Sequence, residues 1–160
     1  MSRRGAELAL LLLGGFRTFA DSATAELAAR GYPDVRPVHD FALQAVLSGA
    51  DNASELGRRM SVTKQSAAKT IAVLQERGYV AREPDPTDRR RVRLQVTERG
   101  HAMLREGEAI FDELREQWEE RVGAEAVGEL ERTLRRLLGN DAIRLDKPPG
   151  WLVQDLGRDG

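Results

Sequence analysis

The sequence DRRRVRLQVT, residues 88–97, follows the turn-forming residues Asp85, Pro86 and Thr87. After its three consecutive arginines, Val92, Leu94 and Val96 alternate with polar residues, the two-residue period of a β-strand, and these three side chains are expected to pack inward. The segment predicts a β-hairpin with arginines at its tip and with strands at Tyr79–Glu83 and Arg91–Val96. Guanidinium groups on an exposed tip can reach nucleic-acid phosphates or a narrow minor groove. The hairpin therefore predicts a surface that binds a polyanion.

Two helices joined by a tight turn are predicted directly before the hairpin. Asn52 and Thr63 are suitable N-caps, and Glu55 completes a capping-box pattern with Asn52. Gly78 provides a C-terminal stop. The predicted helices span Ala53–Met60 and Lys64–Arg77. A short helix, a three-residue turn and a longer helix form the helix-turn-helix pattern.

Long helices are predicted on both sides of this centre. Apolar residues at three- and four-residue steps predict a helix over Ala6–Arg30 and a second one from Pro37 to about Gly49. After the hairpin, Thr97 is expected to cap a helix that runs to about Val122, and a last helix is expected over 124–138. The tail beyond Gly139 and Asn140, which contains Trp151, is expected to be irregular.

The charge of the chain is strongly segregated. The whole sequence has a net charge of −1, but residues 58–99 contain eleven Lys/Arg and five Asp/Glu, a net charge of +6. Because surface charge is screened within about 8–10 Å, binding to a polyanion depends on the charge that faces it. A basic centre with acidic flanks is compatible with nucleic-acid binding, and chance segregation is the alternative.

Composition also indicates where the protein acts. The chain has no cysteine, which fits a reducing cytosol and excludes disulfides and cysteine–zinc sites. No apolar run approaches the roughly 18 residues that a membrane span needs. Arg3 and Arg4 before the apolar run at 8–13 resemble the start of a signal peptide, but no small-residue cleavage site follows and Arg17 interrupts the segment. We therefore expect a cytoplasmic protein.

The second predicted helix of the helix-turn-helix has one apolar and one polar face. Ala67, Ile71 and Leu74 should pack inward, while Gln65 and Lys69 point to the opposite side. Glutamine can pair with adenine, and lysine can reach guanine or phosphate. The small Ala68 would allow close approach to a thymine methyl group, and the helix N-terminus would favour a phosphate. The residues expected to contact DNA here are Thr63, Lys64, Gln65, Ser66, Ala68 and Lys69; an ordinary amphipathic surface helix is the alternative.

The hairpin tip is expected to contribute Asp88, Arg89, Arg90 and Arg91 to the same interface. A salt bridge from Asp88 to Arg90 would aim that guanidinium, although such an exposed pair contributes only about 0–1 kcal/mol. A solvated charged loop is the alternative interpretation.

These residues carry a resemblance to a known family. The segment Ala53–Thr97, ASELGRRMSVTKQSAAKTIAVLQERGYVAREPDPTDRRRVRLQVT, resembles the DNA-binding core of the MarR family of bacterial transcriptional regulators. The family's wing signature is matched by Asp88, Arg90, Val96 and Thr97, with Val96 where leucine is usual. The order of predicted helices extends the resemblance to about residues 6–139.

The resemblance implies a mainly α fold, a winged helix-turn-helix with a small β-hairpin wing, in a homodimeric repressor that a small ligand releases. It divides the chain into an N-terminal dimerisation helix (1–36), a DNA-binding core (37–97), C-terminal dimerisation helices (98–139) and an irregular extension (140–160). Two recognition helices would lie in successive major grooves about 34–36 Å apart on a pseudo-palindromic operator. The apolar surface at both ends independently exceeds what one small winged helix needs.

A phenolic or aromatic acid is the expected effector. Its predicted pocket is lined by Phe16, Phe19, His39, Phe41 and Phe111. No metal or other cofactor is expected, because His39 and His101 are the only histidines and are isolated in the sequence.

No catalytic site is expected either, since the chain has neither a Gly-rich phosphate loop nor Ser–His–Asp spacing. The remaining alternative is a winged-helix module that binds protein. Such a module predicts hydrophobic side chains at the positions of Gln65 and Lys69, and the polar and basic residues found there disfavour it.

Overall fold

A computed structural model describes residues 2–141 and 143–144. This part of the chain forms six α-helices and one two-stranded antiparallel sheet: α1 Arg4–Ala29, α2 Pro37–Leu47, α3 Ala53–Met60, α4 Lys64–Glu76, β1 Val80–Pro84, β2 Val92–Val96, α5 Glu98–Val122 and α6 Ala124–Leu138. The predicted mainly helical fold with a β-hairpin wing is confirmed. A short 3-10 turn, Gly139–Asp141, follows α6; Trp151 and most of the predicted extension lie outside the described residues.

Side-chain caps fix where three helices begin. Asn52 accepts a hydrogen bond from the backbone N–H three residues on (2.9 Å), and Thr63 and Thr97 do the same (3.0 and 3.1 Å). The predicted return bond from Glu55 to Asn52 is wrong. The Glu55 carboxylate instead pairs with Arg58 and Arg59 on the next turn of α3, because charge-assisted bonds to guanidinium are stronger than a bond to a neutral amide.

The core surrounds α2. Its Ala42, Leu43 and Ala45 are completely buried among apolar side chains of α3, α4 and α5. The largest of these are Leu56, Met60, Ile71, Leu74, Met103 and Ile110. Burying one such side chain contributes about 1.5–3 kcal/mol. This core holds the helix-turn-helix rigidly against the first half of α5.

The hairpin is attached to the core by both strands, through Val80 of β1 and Leu94 and Val96 of β2. Pairing runs from Val80 opposite Val96 to Pro84 opposite Val92, and the N–H of Leu94 donates to the carbonyl of Asp51 (2.8 Å). Leu94 and Val96 are buried as predicted, but Val92 is 57% exposed. Val92 belongs to the last pair before the tip, so the expected inward orientation fails where the hairpin extends beyond the core.

The side chain of Arg99 joins the ends of α1 and α4. Its guanidinium donates to the carbonyls of Arg77 (3.3 Å) and Gly31 (3.1 Å). It also lies 5.0 Å and 5.4 Å from the ring centres of Tyr32 and Tyr79, within cation–π distance. We call this contact the Arg99 joint. It fixes the carbonyl end of the helix-turn-helix to the long helices.

Within the described residues, α1 buries side chains only in its second half. Ala20, Ala23 and Leu27 are buried, and Arg30 at the end of α1 pairs with Glu106 (2.7 Å) and Glu113 (2.9 Å) of α5. The first half is exposed, including the leucines of the run 8–13, of which Leu11 is 73% exposed. A helix that is apolar around its whole circumference is normally covered on all sides. The first half of α1 therefore lacks its packing partner within the described chain.

Candidate nucleic-acid interface

The exposed face of α4 is the one predicted from the sequence. Gln65, Ala68 and Lys69 are exposed, while Ala67 and Ile71 are buried. The first turn of α4 differs from the prediction at Ser66, because the hydroxyl of Thr63 already accepts the backbone N–H of Ser66. Within the described residues, the backbone N–H groups of Lys64 and Gln65 keep no acceptor. These two groups, and not that of Ser66, are available to an anion.

The tip of the wing is shaped by aspartate side chains that bind the backbone. Asp85 accepts the N–H (2.9 Å) and the hydroxyl (2.7 Å) of Thr87, and these bonds lower the pKa of Asp85. Asp88 accepts the backbone N–H of Arg90 at 3.0 Å. The predicted salt bridge between Asp88 and the Arg90 guanidinium is wrong, because a short aspartate side chain reaches the N–H two residues on more readily.

The tip arginines are consequently exposed and available. Arg89, Arg90 and Arg91 have no carboxylate within salt-bridge distance among residues 2–141 and 143–144. Asp88 orders the backbone that carries them without neutralising their charge. The wing can thus present three guanidinium groups to one polyanion.

The start of α4 and the wing lie on the same side of the molecule, around one cleft of about 480 Å³. We call it the wing cleft; its charged lining residues are Asp51, Arg58, Lys64, Asp85, Arg91 and Arg93. Of these, Lys64 and Arg91 were predicted to bind DNA. Asp51, Arg58 and Arg93 were missed, because they are far apart in the sequence and only the tertiary fold brings them together.

The five residues predicted to bind an effector occupy different surroundings. The rings of Phe19 and Phe111 are stacked, with centres 6.4 Å apart. Phe41 lies in the core, whereas Phe16 is exposed. The Nδ1 atom of His39 accepts the N–H of Arg36 (3.0 Å) at the start of α2.

A separate polar cleft lies between α1 and the start of α2. It has a volume of about 260 Å³, and we call it the α1–α2 cleft. Arg17, Asp21, Thr24, Asp34 and Arg36 contribute its polar side chains. Arg17, Asp21 and Thr24 follow the helical period of α1, but the sequence does not show that Arg36, from the loop before α2, lies beside them.

Two neighbouring titratable groups at the start of α2 have shifted pKa values. Burial, followed by the charges of Arg77 and Arg36, lowers the pKa of His39 to about 4. Burial, followed by the charge of Glu108, raises the pKa of Asp40 from 3.8 to about 6. His39 therefore opposes folding as the pH falls below its ordinary value, whereas Asp40 opposes folding as the pH rises from about 4 to about 6.

We expect Asp40→Asn to stabilise the protein at pH 7 by about 1–2 kcal/mol, because the amide removes a charge that the fold desolvates. At pH 4 the gain should vanish, since the carboxyl is then protonated in the folded state. Urea unfolding at both pH values measures the difference, and Asp112→Asn, at an exposed position of α5, is the matched control. Equal stability of variant and wild type at pH 7 would contradict the burial of Asp40.

Metal and membrane sites can be assessed for the described residues only. Within 2–141 and 143–144, no group of three or more His, Cys, Asp or Glu side chains is arranged to hold a metal ion. In the same part of the chain, no helix combines the length and apolarity needed to cross a bilayer.

Comparisons with known proteins agree with this geometry. A family model described as "MarR family" matches residues 41–91. Streptococcus pneumoniae FabT in complex with DNA is similar in structure, with a TM-score of 0.65, 18% identity, and coverage of 82% of this chain and 93% of FabT. The reduced form of MarR from E. coli gives a TM-score of 0.64 and 22% identity over 82% of this chain and 96% of MarR. A mutant MarR from E. coli complexed with operator DNA gives 0.60 and 21% over 85% and 96%.

Proposed function

We infer from the match over residues 41–91 and from the similar solved structures that this chain belongs to the MarR family, and on that premise we propose that the protein is a homodimeric repressor of transcription that binds a pseudo-palindromic operator. Members of the family are transcription regulators and not enzymes, as the sequence predicted. One observation carries the proposal: Lys64, the first residue of α4, and Arg91 and Arg93 of the wing line a single cleft. The DNA complexes of FabT and of mutant MarR support a duplex as the partner.

The proposal gives each element a role at the duplex. The α4 helix enters the major groove, where Gln65 and Lys69 contact base edges and Ala68 permits close approach. The exposed arginines of the wing tip enter the neighbouring minor groove. Thr63, Lys64 and Ser66 lie at the N-terminal end of α4, next to the backbone phosphates. A regulator of this kind acts at the chromosome, so the proposal includes a cytoplasmic location.

The dimer in this proposal is built by the N-terminal segment 1–36 and the C-terminal segment 98–139, around the DNA-binding core 37–97. The exposed leucines of α1 support it, as do exposed Leu130 and Leu137 on α6. Both surfaces belong to long helices that lie outside the helix-turn-helix. A second copy that covers them would place two α4 helices on one face of the duplex.

The effector in this proposal is a phenolic or aromatic acid. The α1–α2 cleft supports it, because Arg17 and Arg36 supply two guanidinium groups that can pair with a carboxylate. Phe16 lies one turn before Ala20 of that cleft on the same face of α1 and offers an aromatic contact. Such a ligand would release DNA only if it binds more tightly to a form of the protein in which the distance between the two α4 helices does not match successive major grooves.

Selection of duplexes from a random pool, followed by titration at several salt concentrations, tests DNA binding. We expect one enriched palindrome and a log–log slope of about −0.9 for each phosphate that the protein neutralises. A flat salt dependence, or no enriched duplex, would favour the alternative of a winged helix that binds protein.

The wing and α4 should fail in different ways when they are mutated. Arg90→Ala is expected to weaken binding to all duplexes alike and to reduce the salt slope by about one. Lys69→Ala is expected to cost about 1–3 kcal/mol of discrimination at particular base pairs. Titrations against the selected duplex and single-base variants separate the two effects. Unchanged affinity of Arg90→Ala would exclude the wing from the interface.

A further inference from the structure

We propose that the wing cleft binds one phosphate group, which the DNA backbone supplies where a strand passes from the major to the minor groove. This inference rests on the proposed function, since the duplex is the source of the phosphate. It adds Arg58, Arg93 and the start of α3 to the interface, beside Lys64 of α4 and Arg91 of the wing tip.

Charge favours an anion in the wing cleft. Four cationic side chains from three structural elements line it, against two carboxylates. Asp51 accepts the side-chain amide of Asn52 (3.0 Å) and Asp85 accepts Thr87, but these donors are neutral, so four cations and two carboxylates give the lining a net charge of +2. The cationic Arg58 pairs only with Glu55 of its own helix. An exposed pair of this kind contributes little, so Arg58 can exchange it for a phosphate.

Hydrogen-bond donors in the wing cleft lack acceptors. Arg93 also lines the cleft, and its guanidinium lies 3.7 Å from the Glu83 carboxylate, an exposed pair that a phosphate can replace as at Arg58. At the start of α3, the N–H groups of Ala53 and Ser54 find no acceptor in residues 2–141 and 143–144. The cleft therefore combines free donors with the positive end of the α3 dipole, and a phosphate satisfies both.

The position of the wing cleft explains which phosphate it receives. Lys64 at the start of α4 lines one side, and Arg91 and Arg93 of the wing line another. With α4 in the major groove and the wing tip in the adjacent minor groove, one sugar–phosphate strand separates the two elements. That strand must pass the opening of the cleft. A phosphate bound there fixes the position of α4 and of the wing relative to the two grooves.

Substitution of Ser54 tests the proposal without weakening α3. Ser54 is exposed in the first turn of α3, where a glutamate is favourable for helix stability. Ser54→Glu should therefore keep or raise the melting temperature, yet bind the selected duplex about tenfold more weakly because its carboxylate repels the phosphate. Ser54→Gln has nearly the same size without the charge and is expected to lose much less.

A neutral methylphosphonate, placed at each backbone position in turn, identifies the phosphate. We expect one position between the two grooves at which the methylphosphonate weakens the binding of wild type but hardly changes the affinity of Ser54→Glu. Such non-additive losses indicate a direct contact between the phosphate and the cleft. Additive losses at every position would overturn the proposal. Melting temperatures measured with inorganic phosphate at constant ionic strength test the other possible source of the phosphate, a free phosphorylated ligand. A higher melting temperature for wild type but not for Ser54→Glu would reassign the cleft to a free phosphorylated ligand and overturn the assignment to DNA.

These results distinguish the cleft from the function as a whole. If wild-type protein shows no salt-dependent binding to any duplex, the proposed function fails. If wild type binds and Ser54→Glu binds equally well, the function stands and the phosphate site in the wing cleft is wrong.

Discussion

A variant with Leu8→Glu and Leu12→Glu is expected to be monomeric and to bind the selected duplex about 10²–10⁴ times more weakly. Both leucines are exposed on one side of α1 (58% and 48%), so the substitutions replace no residue of the core. In a dimer they would bury charges in an apolar interface. Loss of the second subunit removes the second half-site contact, and with it the gain from binding two linked sites.

Sedimentation and DNA titration on the same preparation measure both effects. Circular dichroism is the control, because the variant should keep the helix-turn-helix, whose core does not include α1 residues before Ala23. A variant that stays dimeric and binds DNA like wild type would show that the first half of α1 is not the dimer interface. A monomer with full operator affinity would contradict binding as a pair.

Gly100→Ala should lower the free energy of unfolding by about 3 kcal/mol, at the upper end for overpacking. An added Cβ would overlap the carbonyl oxygen of Tyr79 and lie 2.7 Å from a methyl group of Val96. The carbonyl cannot move away, because it accepts the N–H of Thr97 at 3.0 Å. The contact joins the start of α5 to the base of the wing, so its loss should also loosen the hairpin.

The matched control is Gly107→Ala on the same helix. There the added Cβ meets no atom within 4 Å, and removing a helical glycine should stabilise by about 0.5–1 kcal/mol. Urea unfolding at one fixed protein concentration compares the two variants. Similar stabilities for Gly100→Ala and wild type would mean that α5 and Tyr79 can separate at little cost.

Local chemistry made most of the fold predictable. Asn52, Thr63 and Thr97 mark helix starts because a cap needs only its own side chain and a backbone N–H three residues away. The bounds predicted for α3 and α6 coincide with those observed. The strands were placed one residue early, because Tyr79 has strand-like chemistry but is buried at the turn before β1.

Long-range contacts limited what could be predicted of the site. The exposed face of α4 follows from helical periodicity, and the wing tip from its turn residues. The wing cleft does not, because Arg58 and Arg93 meet only after the core has formed. Gly100 did give a signal, since glycine inside a helical pattern often marks close packing, but the sequence does not name Tyr79 as its neighbour.

The Arg99 joint has a mechanical consequence. One guanidinium holds together the carbonyls of Gly31 and Arg77, which lie just beyond α1 and α4, and Arg77 donates to the carbonyl of Asp34 (2.7 Å). Sliding of α4 along α1 would break all of these bonds, whereas a common tilt breaks none. In the proposed dimer, each subunit would then rotate as one rigid unit. A rotation of a few degrees at the first half of α1 would displace the wing by several ångströms.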